Sequence, residues 1–174
     1  LVLNHAREAY PGPLQPNPAY EIGMSFRFDP PSKELPEGYA CFHITNALAP
    51  KSFLNAPEYV IRNFRFIMDE SEKKYGCHIL YTATWLNSYD KWLRFFPDEW
   101  SENRSEPHPE IYGNLGFLGQ FLNARGDLNY ETVEFVLSTG RLMYPFRLSH
   151  CLFESMRNHL NKIEKQMNNK EMIA

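Results

Sequence analysis

Histidine is the side chain best suited to proton transfer near neutral pH, and two of the six histidines have settings that suggest a role. His43 lies in a predicted strand that runs into the polar sequence Ile-Thr-Asn, and loops at strand ends often carry functional groups. His150 is expected in the first turn of a helix capped by Ser149, where the helix dipole favours a neutral ring. We predict His43 as the principal acid or base and His150 as a second proton-transfer group.

Two amide side chains are candidates for orienting a substrate. Asn87 follows the predicted end of a strand, and Gln120 lies between glycines and Phe121 in an otherwise apolar stretch. A buried amide must find hydrogen-bond partners, and a ligand is one candidate. We expect Asn87 and Gln120 to orient a substrate oxygen or to stabilise developing negative charge.

Aromatic residues make up 15% of the chain, with 13 Phe, 10 Tyr and 3 Trp. Rings beside a few polar groups are typical of small-molecule pockets, although packing in the core is the simpler explanation for most rings. We predict that Trp85, Tyr81 and Phe117 line an apolar wall. Arg147 is a candidate for holding a substrate carboxylate, with exposure on the surface as the simpler interpretation.

A metal site or a nucleophilic cysteine is less well supported. The sequence contains neither of the close pairs typical of zinc sites, His-x-x-x-His and Cys-x-x-Cys, so we predict no metal and no cofactor. His43, His78 and His150, with Glu154, could still converge in space, and metal-dependent catalysis therefore stays an alternative. Cys151 at the predicted helix start could have a lowered thiol pKa, but a buried packing role is favoured.

Charge and cysteine usage exclude several classes of protein. Eighteen basic and 21 acidic residues give a net charge of -3, which argues against nucleic acid as a partner. Three widely spaced cysteines do not form a disulfide framework and fit a reducing, cytoplasmic location. No window approaches the 18 apolar residues of a membrane span, so we expect no membrane association. Gly-x-Ser-x-Gly, Walker and His-Glu-x-x-His motifs are also missing from the sequence.

The first half of the chain predicts an extended arm followed by two strands, a helix and a third strand. Four prolines between Pro11 and Pro18 make residues 1–19 an irregular arm, and residues 20–174 are expected to form one domain. Alternating apolar residues predict strands at 22–29, 39–45 and 77–86. A helix at 57–75, capped by Asn55, is expected to cross over between two strands of one sheet.

The second half is expected to be mostly helical. Predicted elements are a short helix from Ser88 to Phe96, a surface loop at 98–112, a helix at 129–140 with Leu137 facing inward, and a last helix beginning at Ser149. These elements predict an α+β fold, a single domain in which a small mixed or antiparallel sheet is packed by helices.

Together these features suggest a small-molecule enzyme that uses general acid/base catalysis. The expected substrate is apolar or aromatic, and the reaction class is that of an isomerase, cyclase or lyase. A non-catalytic binding or protein-interaction module is the alternative, and the sequence also allows a homo-oligomer. A ring-lined cavity holding two titratable groups would favour the enzyme, whereas a flat exposed aromatic patch would favour the interaction module.

Overall fold

The computed structural model describes residues 24–33, 35–108 and 115–171, which form a four-stranded sheet and five α-helices. The strands are β1 (Phe26–Phe28), β2 (Tyr39–Ile44), β3 (Ile79–Thr84) and β4 (Arg147–Leu152). The α-helices are α1 (Pro57–Tyr75), α2 (Asp90–Leu93), α3 (Asp98–Glu102), α4 (Tyr130–Thr139) and α5 (Phe153–Glu171). Short 3-10 helices span Phe53–Asn55, Trp85–Ser88 and Leu115–Phe121.

The sheet is mixed, with the strands in the order β1-β2-β3-β4. Strand β1 runs antiparallel to β2, β2 runs parallel to β3, and β3 runs antiparallel to β4. Helix α1 makes the crossover that the parallel pair requires, as the sequence predicted. The α+β fold class and the mixed sheet packed by helices are therefore confirmed.

Helix α1 shows how local sequence sets both ends of an element. Pro57 and Glu58 occupy its first turn, where a missing N–H costs nothing and a carboxylate complements the dipole. Gly76 ends it in the left-handed conformation, with φ at 67°. The predicted cap by Asn55 is wrong, because residues Phe53–Asn55 form a 3-10 turn and Ala56 takes the capping position without a side-chain bond.

The core lies between one face of the sheet and helices α1 and α5. Alternation along the strands directs Phe42, Leu80 and Cys151 into it, and all three are fully buried. Trp92 packs at its centre, with its ring centroid 5.6 Å from that of Phe64. Most of the aromatic excess seen in the sequence is thus packing material of this core.

Residues 149–151 do not begin a helix, and the prediction that placed them there is wrong. Ser149, His150 and Cys151 belong to β4, which pairs with β3 over six residues, and α5 begins only at Phe153. The Ser149 hydroxyl donates to the carbonyl of Trp100 instead of capping a helix. The helix dipole therefore does not act on His150. Burial and Glu99 raise the pKa of the Cys151 thiol, the opposite of activation.

Three smaller predictions are also corrected. The segment expected as a surface loop includes α3, because Trp100 is fully buried against the ring of Phe96; residues 109–112 of that segment lie outside the described residues. Leu137 is 81% exposed rather than inward-facing. Ser88 does not cap a helix, since its hydroxyl donates to the carbonyl of Pro145.

The arm predicted for residues 1–19, and the first residues of the strand predicted from Ile22, lie outside the described residues. Met24 and Ser25 are described but lie outside the strand, which begins at Phe26 and is shorter than predicted. No helix in the described part of the chain combines the length and the apolar character needed to span a bilayer.

Candidate functional site

The sheet face opposite the core gathers polar and titratable side chains from all four strands. The register pairs Arg27 with His43, and it aligns Tyr81 with both Cys41 and His150. Cross-strand partners project to the same side, so these side chains share one face. We call it the open face, and its residues, all partly exposed, are Arg27, Asp29, Tyr39, Cys41, His43, Tyr81 and His150.

Asp29 and His43 form a close pair on the open face. The Asp29 amide donates to the Cys41 carbonyl at 3.0 Å, which extends the β1–β2 ladder and sets Asp29 diagonally across from His43. His43 Nε2 lies 2.5 Å from Asp29 Oδ2. Arg27 Nη1 lies 3.5 Å from the other carboxylate oxygen, Oδ1. Asp29 therefore contacts His43 through one carboxylate oxygen and Arg27 through the other.

The second nitrogen of His43 is available for chemistry. No hydrogen bond to Nδ1 occurs within the described part of the chain, and the His43 side chain is 42% exposed. When Nε2 carries the proton that is donated to Asp29, Nδ1 presents a lone pair. His43 can then accept a proton from a ligand while Asp29 stabilises the imidazolium that forms.

Cys41 lies between Tyr39 and His43 on the same face of β2. Burial and the carboxylate of Asp29 raise the pKa of its thiol from 9.0 to about 11, and Arg27 opposes this rise only in part. Cys41 therefore stays protonated near neutral pH and is a poor nucleophile by itself.

Two tyrosines and His150 form a continuous group beside Cys41. The ring centroid of Tyr39 is 6.0 Å from that of Tyr81 and 5.8 Å from that of His150. Burial, with added contributions from Cys41 and Tyr39, raises the pKa of Tyr81 above its ordinary value of 10.0. The Tyr81 phenol therefore keeps its proton and can donate a hydrogen bond to a ligand oxygen.

The two predicted catalytic histidines share the open face without touching each other. His43 is on β2, His150 is on β4, and β3 runs between them. Within the described part of the chain, no hydrogen bond or ring contact joins the two imidazoles. They can act on different parts of one ligand but cannot exchange a proton directly.

The side-chain amide of Asn87 is buried and forms its hydrogen bonds within the core. Its Nδ2 donates to the carbonyls of Thr82 and Arg147 at 3.1 and 3.0 Å. Its Oδ1 accepts from the indoles of Trp92 and Trp100, both at 3.3 Å. Every polar atom of this buried amide has a protein partner, so it has no role on the open face.

Gln120 and Arg147 also bind the protein itself. The Gln120 amide is hydrogen-bonded in both directions to the backbone of Tyr144, at 3.2 and 3.4 Å. Arg147 donates to the hydroxyl of Ser88 at 3.1 Å and to the carbonyl of Ser105 at 2.7 Å. Gln120 thus joins its 3-10 helix to the segment before β4, and Arg147 joins the start of β4 to Ser88 and to the loop at Ser105.

Trp85 and Phe117 lie outside the open face, and each has its own ring contacts. The Trp85 indole donates to the Gly116 carbonyl at 3.1 Å, and its ring lies 5.9 Å from that of Tyr144. Phe117 contacts Phe121 at 6.4 Å between centroids. Of the predicted wall residues, only Tyr81 belongs to the open face as we define it.

Sequence reasoning missed Arg27, Asp29, Tyr39 and Cys41 as site residues. Arg27 and Asp29 stand out on the polar side of the first predicted strand, and this was the available signal. Asp29 lies beside His43 because of the register in which β1 and β2 pair. The sequence does not reveal that register, because a long connection joins the two strands.

The histidines proposed as metal ligands do not converge. His78 is exposed at the start of β3, His150 is on β4, and Glu154 is exposed on α5. Among the residues that the structure describes, a different set meets the geometric requirement. Its ligand atoms all lie within 4.8 Å of one another, and its members are Asp29, Cys41 and His43.

Within the described part of the chain, the open face does not form an enclosed, ring-lined cavity of the kind that the sequence suggested. Two depressions of about 350 Å³ each lie elsewhere on the surface. One lies between α1 and α5 beside Arg65 and Glu164, and the other lies between α3 and α5 beside Glu99 and His159. Neither includes a residue of the open face.

Comparison of the chain with protein-family models, with curated proteins and with solved structures gives no match. No relative therefore contributes a function or a set of site residues. The chemistry of the open face is the basis for the functional argument.

Proposed function

We propose that this protein is a small-molecule enzyme whose reaction proceeds by general acid/base catalysis on the open face. His43 is the proton-transfer group, and Asp29 orients it. The observation that carries the proposal is the 2.5 Å contact between His43 Nε2 and Asp29 Oδ2 on a solvent-accessible sheet face.

The pair has the two properties that a proton-transfer group requires. An imidazole can both accept and donate a proton, and a carboxylate partner fixes its tautomer and its orientation. In the first step, the Nδ1 lone pair takes a proton from the substrate, which leaves an anion on the substrate and an imidazolium on His43. The same nitrogen can return that proton to another atom of the substrate or to a leaving group.

The rest of the open face supplies binding groups of matching chemistry. Tyr39 and Tyr81 offer ring surface to an apolar or aromatic substrate. The protonated phenol of Tyr81 can donate to a substrate oxygen as negative charge develops there. His150 lies against Tyr39 and is the second proton-transfer group of the proposal.

This chemistry suits an isomerase, a cyclase or a lyase. In each of these reactions, a proton is removed from one atom and supplied to another or to a leaving group, with no net oxidation. The amides of Asn87 and Gln120 are left out of the proposed mechanism, since both are hydrogen-bonded within the protein.

Hydrogen exchange with solvent tests the proposal even though the reaction product is unidentified. The intact chain is incubated in D₂O with a panel of aromatic and apolar carbonyl compounds, and deuterium incorporation is followed by NMR. We expect at least one compound to exchange a carbon-bound hydrogen, and we expect His43→Gln to abolish this exchange. His78→Gln is the matched control, because His78 is exposed and lies outside the open face.

Two results would contradict the proposal. One is exchange that continues at the full rate in the His43→Gln variant. The other is a set of bound compounds whose NMR contacts all lie away from Tyr39 and Tyr81.

A second candidate function, a protein-interaction module, is favoured by the lack of an enclosed ring-lined cavity on the open face of the described residues and by one further observation. Most of the large apolar side chains exposed in the described part of the chain fall within a single segment, residues 118–137. They are Leu118, Leu122, Leu128, Tyr130, Phe135 and Leu137. Such a concentration is typical of contact surfaces. Self-association that Leu137→Glu disrupts, with no exchange activity in the intact chain, would favour this candidate.

A further inference from the structure

We propose that Asp29, Cys41 and His43 bind one divalent transition metal of the zinc class on the open face. Their ligand atoms lie within 4.8 Å of one another. Carboxylate oxygen, thiolate sulfur and imidazole nitrogen are the three donor types that Zn²⁺ takes in proteins. Hard cations such as Mg²⁺ prefer oxygen alone, so the mixed donor set also indicates the class of metal.

The backbone holds the three residues in a rigid frame. Cys41 and His43 are two residues apart on β2 and therefore project to the same face. Asp29 lies directly opposite Cys41, because its amide donates to the Cys41 carbonyl at 3.0 Å. All three ligands thus come from the β1–β2 ladder and its one-residue extension at Asp29.

A metal ion fits after a small adjustment of side chains. Tetrahedral Zn²⁺ with ordinary bond lengths places its ligand atoms about 3.3–3.6 Å apart. His43 Nε2 and Asp29 Oδ2 are 2.5 Å apart and must separate by about 1 Å to reach that spacing. Both side chains are more than two-fifths exposed, at 42% and 41%, so rotation of either one can provide this separation.

Charge at the site is compatible with a divalent cation. The thiol of Cys41 loses its proton on binding, and the resulting thiolate and the Asp29 carboxylate together neutralise two positive charges. The Arg27 guanidinium lies 3.5 Å from Asp29 Oδ1, on the side of the carboxylate away from His43. It can orient Asp29 while leaving Oδ2 for the metal.

Three protein ligands leave a fourth position open to solvent, which is the pattern of catalytic rather than structural zinc sites. A metal there would lower the pKa of a bound water, and the hydroxide left after that water released its proton to solvent would be the base in place of His43 Nδ1. The metal-bound site and the metal-free Asp29–His43 pair are therefore two alternative states of the same residues. Metal binding itself does not depend on the catalytic proposal and is tested separately.

Cobalt is a spectroscopic probe of this site. The intact chain is stripped of metal with a chelator and titrated with Co²⁺ near neutral pH. We expect saturation at one equivalent, an intense tetrahedral visible spectrum, a thiolate-to-cobalt charge-transfer band, and displacement of Co²⁺ by Zn²⁺. Cys41→Ser should remove the charge-transfer band. The matched control Cys77→Ser should keep it, because Cys77 is buried beneath the Tyr39 carbonyl and is not one of the ligands.

The other two ligands are tested by affinity. Asp29→Asn and His43→Gln should each weaken Co²⁺ binding by about tenfold or more. Far-UV circular dichroism checks that each variant is folded, and Cys41→Ala provides a second variant at the thiol position. Failure of the intact chain to bind one equivalent of Co²⁺, or a charge-transfer band that persists in folded Cys41→Ser or Cys41→Ala, would overturn the proposal.

The outcomes for metal and for catalysis remain distinguishable. Exchange activity that survives in chelator, with no cobalt spectrum, would leave the acid/base proposal standing and remove the metal. A cobalt spectrum in a chain without exchange activity would support the metal site and contradict the acid/base proposal.

Discussion

Asn87 joins four elements, β3, β4, α2 and α3, through a single side-chain amide. It connects the carbonyls of Thr82 and Arg147 to the indoles of Trp92 and Trp100. A buried donor or acceptor that loses its partner costs about 1–3 kcal/mol, so the amide has a large structural role. In the sequence, a structural amide at the end of a strand has the same appearance as a substrate-orienting amide, because both are polar residues next to an apolar run.

Asn87→Leu should lower the free energy of unfolding by about 3 kcal/mol or more, because two indole N–H groups and two carbonyls lose their partner. Urea unfolding followed by tryptophan fluorescence measures the change. The control Asn158→Leu, at an exposed position of α5, should change stability by no more than about 0.5 kcal/mol. Equal effects of the two substitutions would contradict the assigned role of Asn87.

The buried thiol of Cys151 should lower the stability of the fold as pH rises in the alkaline range. Burial and Glu99 raise its pKa in the folded state above the ordinary 9.0. Above that pH, the unfolded chain releases the thiol proton while the folded chain keeps it, so stability falls as pH rises. The expected contribution to this decline is about 1.4 kcal/mol per pH unit for a fully buried thiol.

Cys151→Ala should therefore flatten the decline of stability above pH 9.0 relative to the natural chain. Urea unfolding of both chains at several pH values, from just below to well above this point, provides the comparison. Identical slopes for the two chains would show that the buried thiol does not cause the decline.

At the scale of elements, helix α1 is held to the sheet mainly by ring packing. Phe64 projects from α1 into the core and is fully buried. The rings around it, with centroid distances of 4.8 to 5.7 Å, are Phe26, Phe42, Trp92 and Phe96. Removing a ring from such a position leaves a cavity as well as losing buried apolar area.

Phe64→Ala should lower the free energy of unfolding by about 3–5 kcal/mol. Leu137→Ala on α4 is the control, and it should have almost no effect because that side chain is 81% exposed. Chemical unfolding of both variants measures the difference. A loss below about 1 kcal/mol in Phe64→Ala would mean that α1 does not depend on this packing.

Strand β4 shows how pairing can decide the structure of an ambiguous segment. The sequence from Ser149 onward has a capping residue followed by apolar residues at helical spacing, which is the pattern of a helix start. Strand β3 nevertheless needs a partner on its outer edge, and β4 satisfies six of its residues. The helix begins where that pairing ends, at Phe153.

At the scale of the whole molecule, one core connects the sheet to α1, α5 and the segment that contains Trp92 and Trp100. A chain with one shared core should unfold in a single cooperative transition. We expect tryptophan fluorescence and far-UV circular dichroism to give superimposable urea curves. Two separated transitions would contradict the prediction that residues 20–174 form one domain.

Local periodicity in the sequence was sufficient to predict the α+β class, the crossover helix Pro57–Tyr75 and the strands around Cys41 and Tyr81, because each signal depends only on neighbouring residues. The tertiary structure decided which polar side chains meet. The proximity of Asp29 and His43 depends on strand register, and whether residue 150 lies in a strand or a helix depends on a partner strand distant in sequence. Both depend on contacts between residues far apart in the chain, so the sequence around each residue does not indicate them.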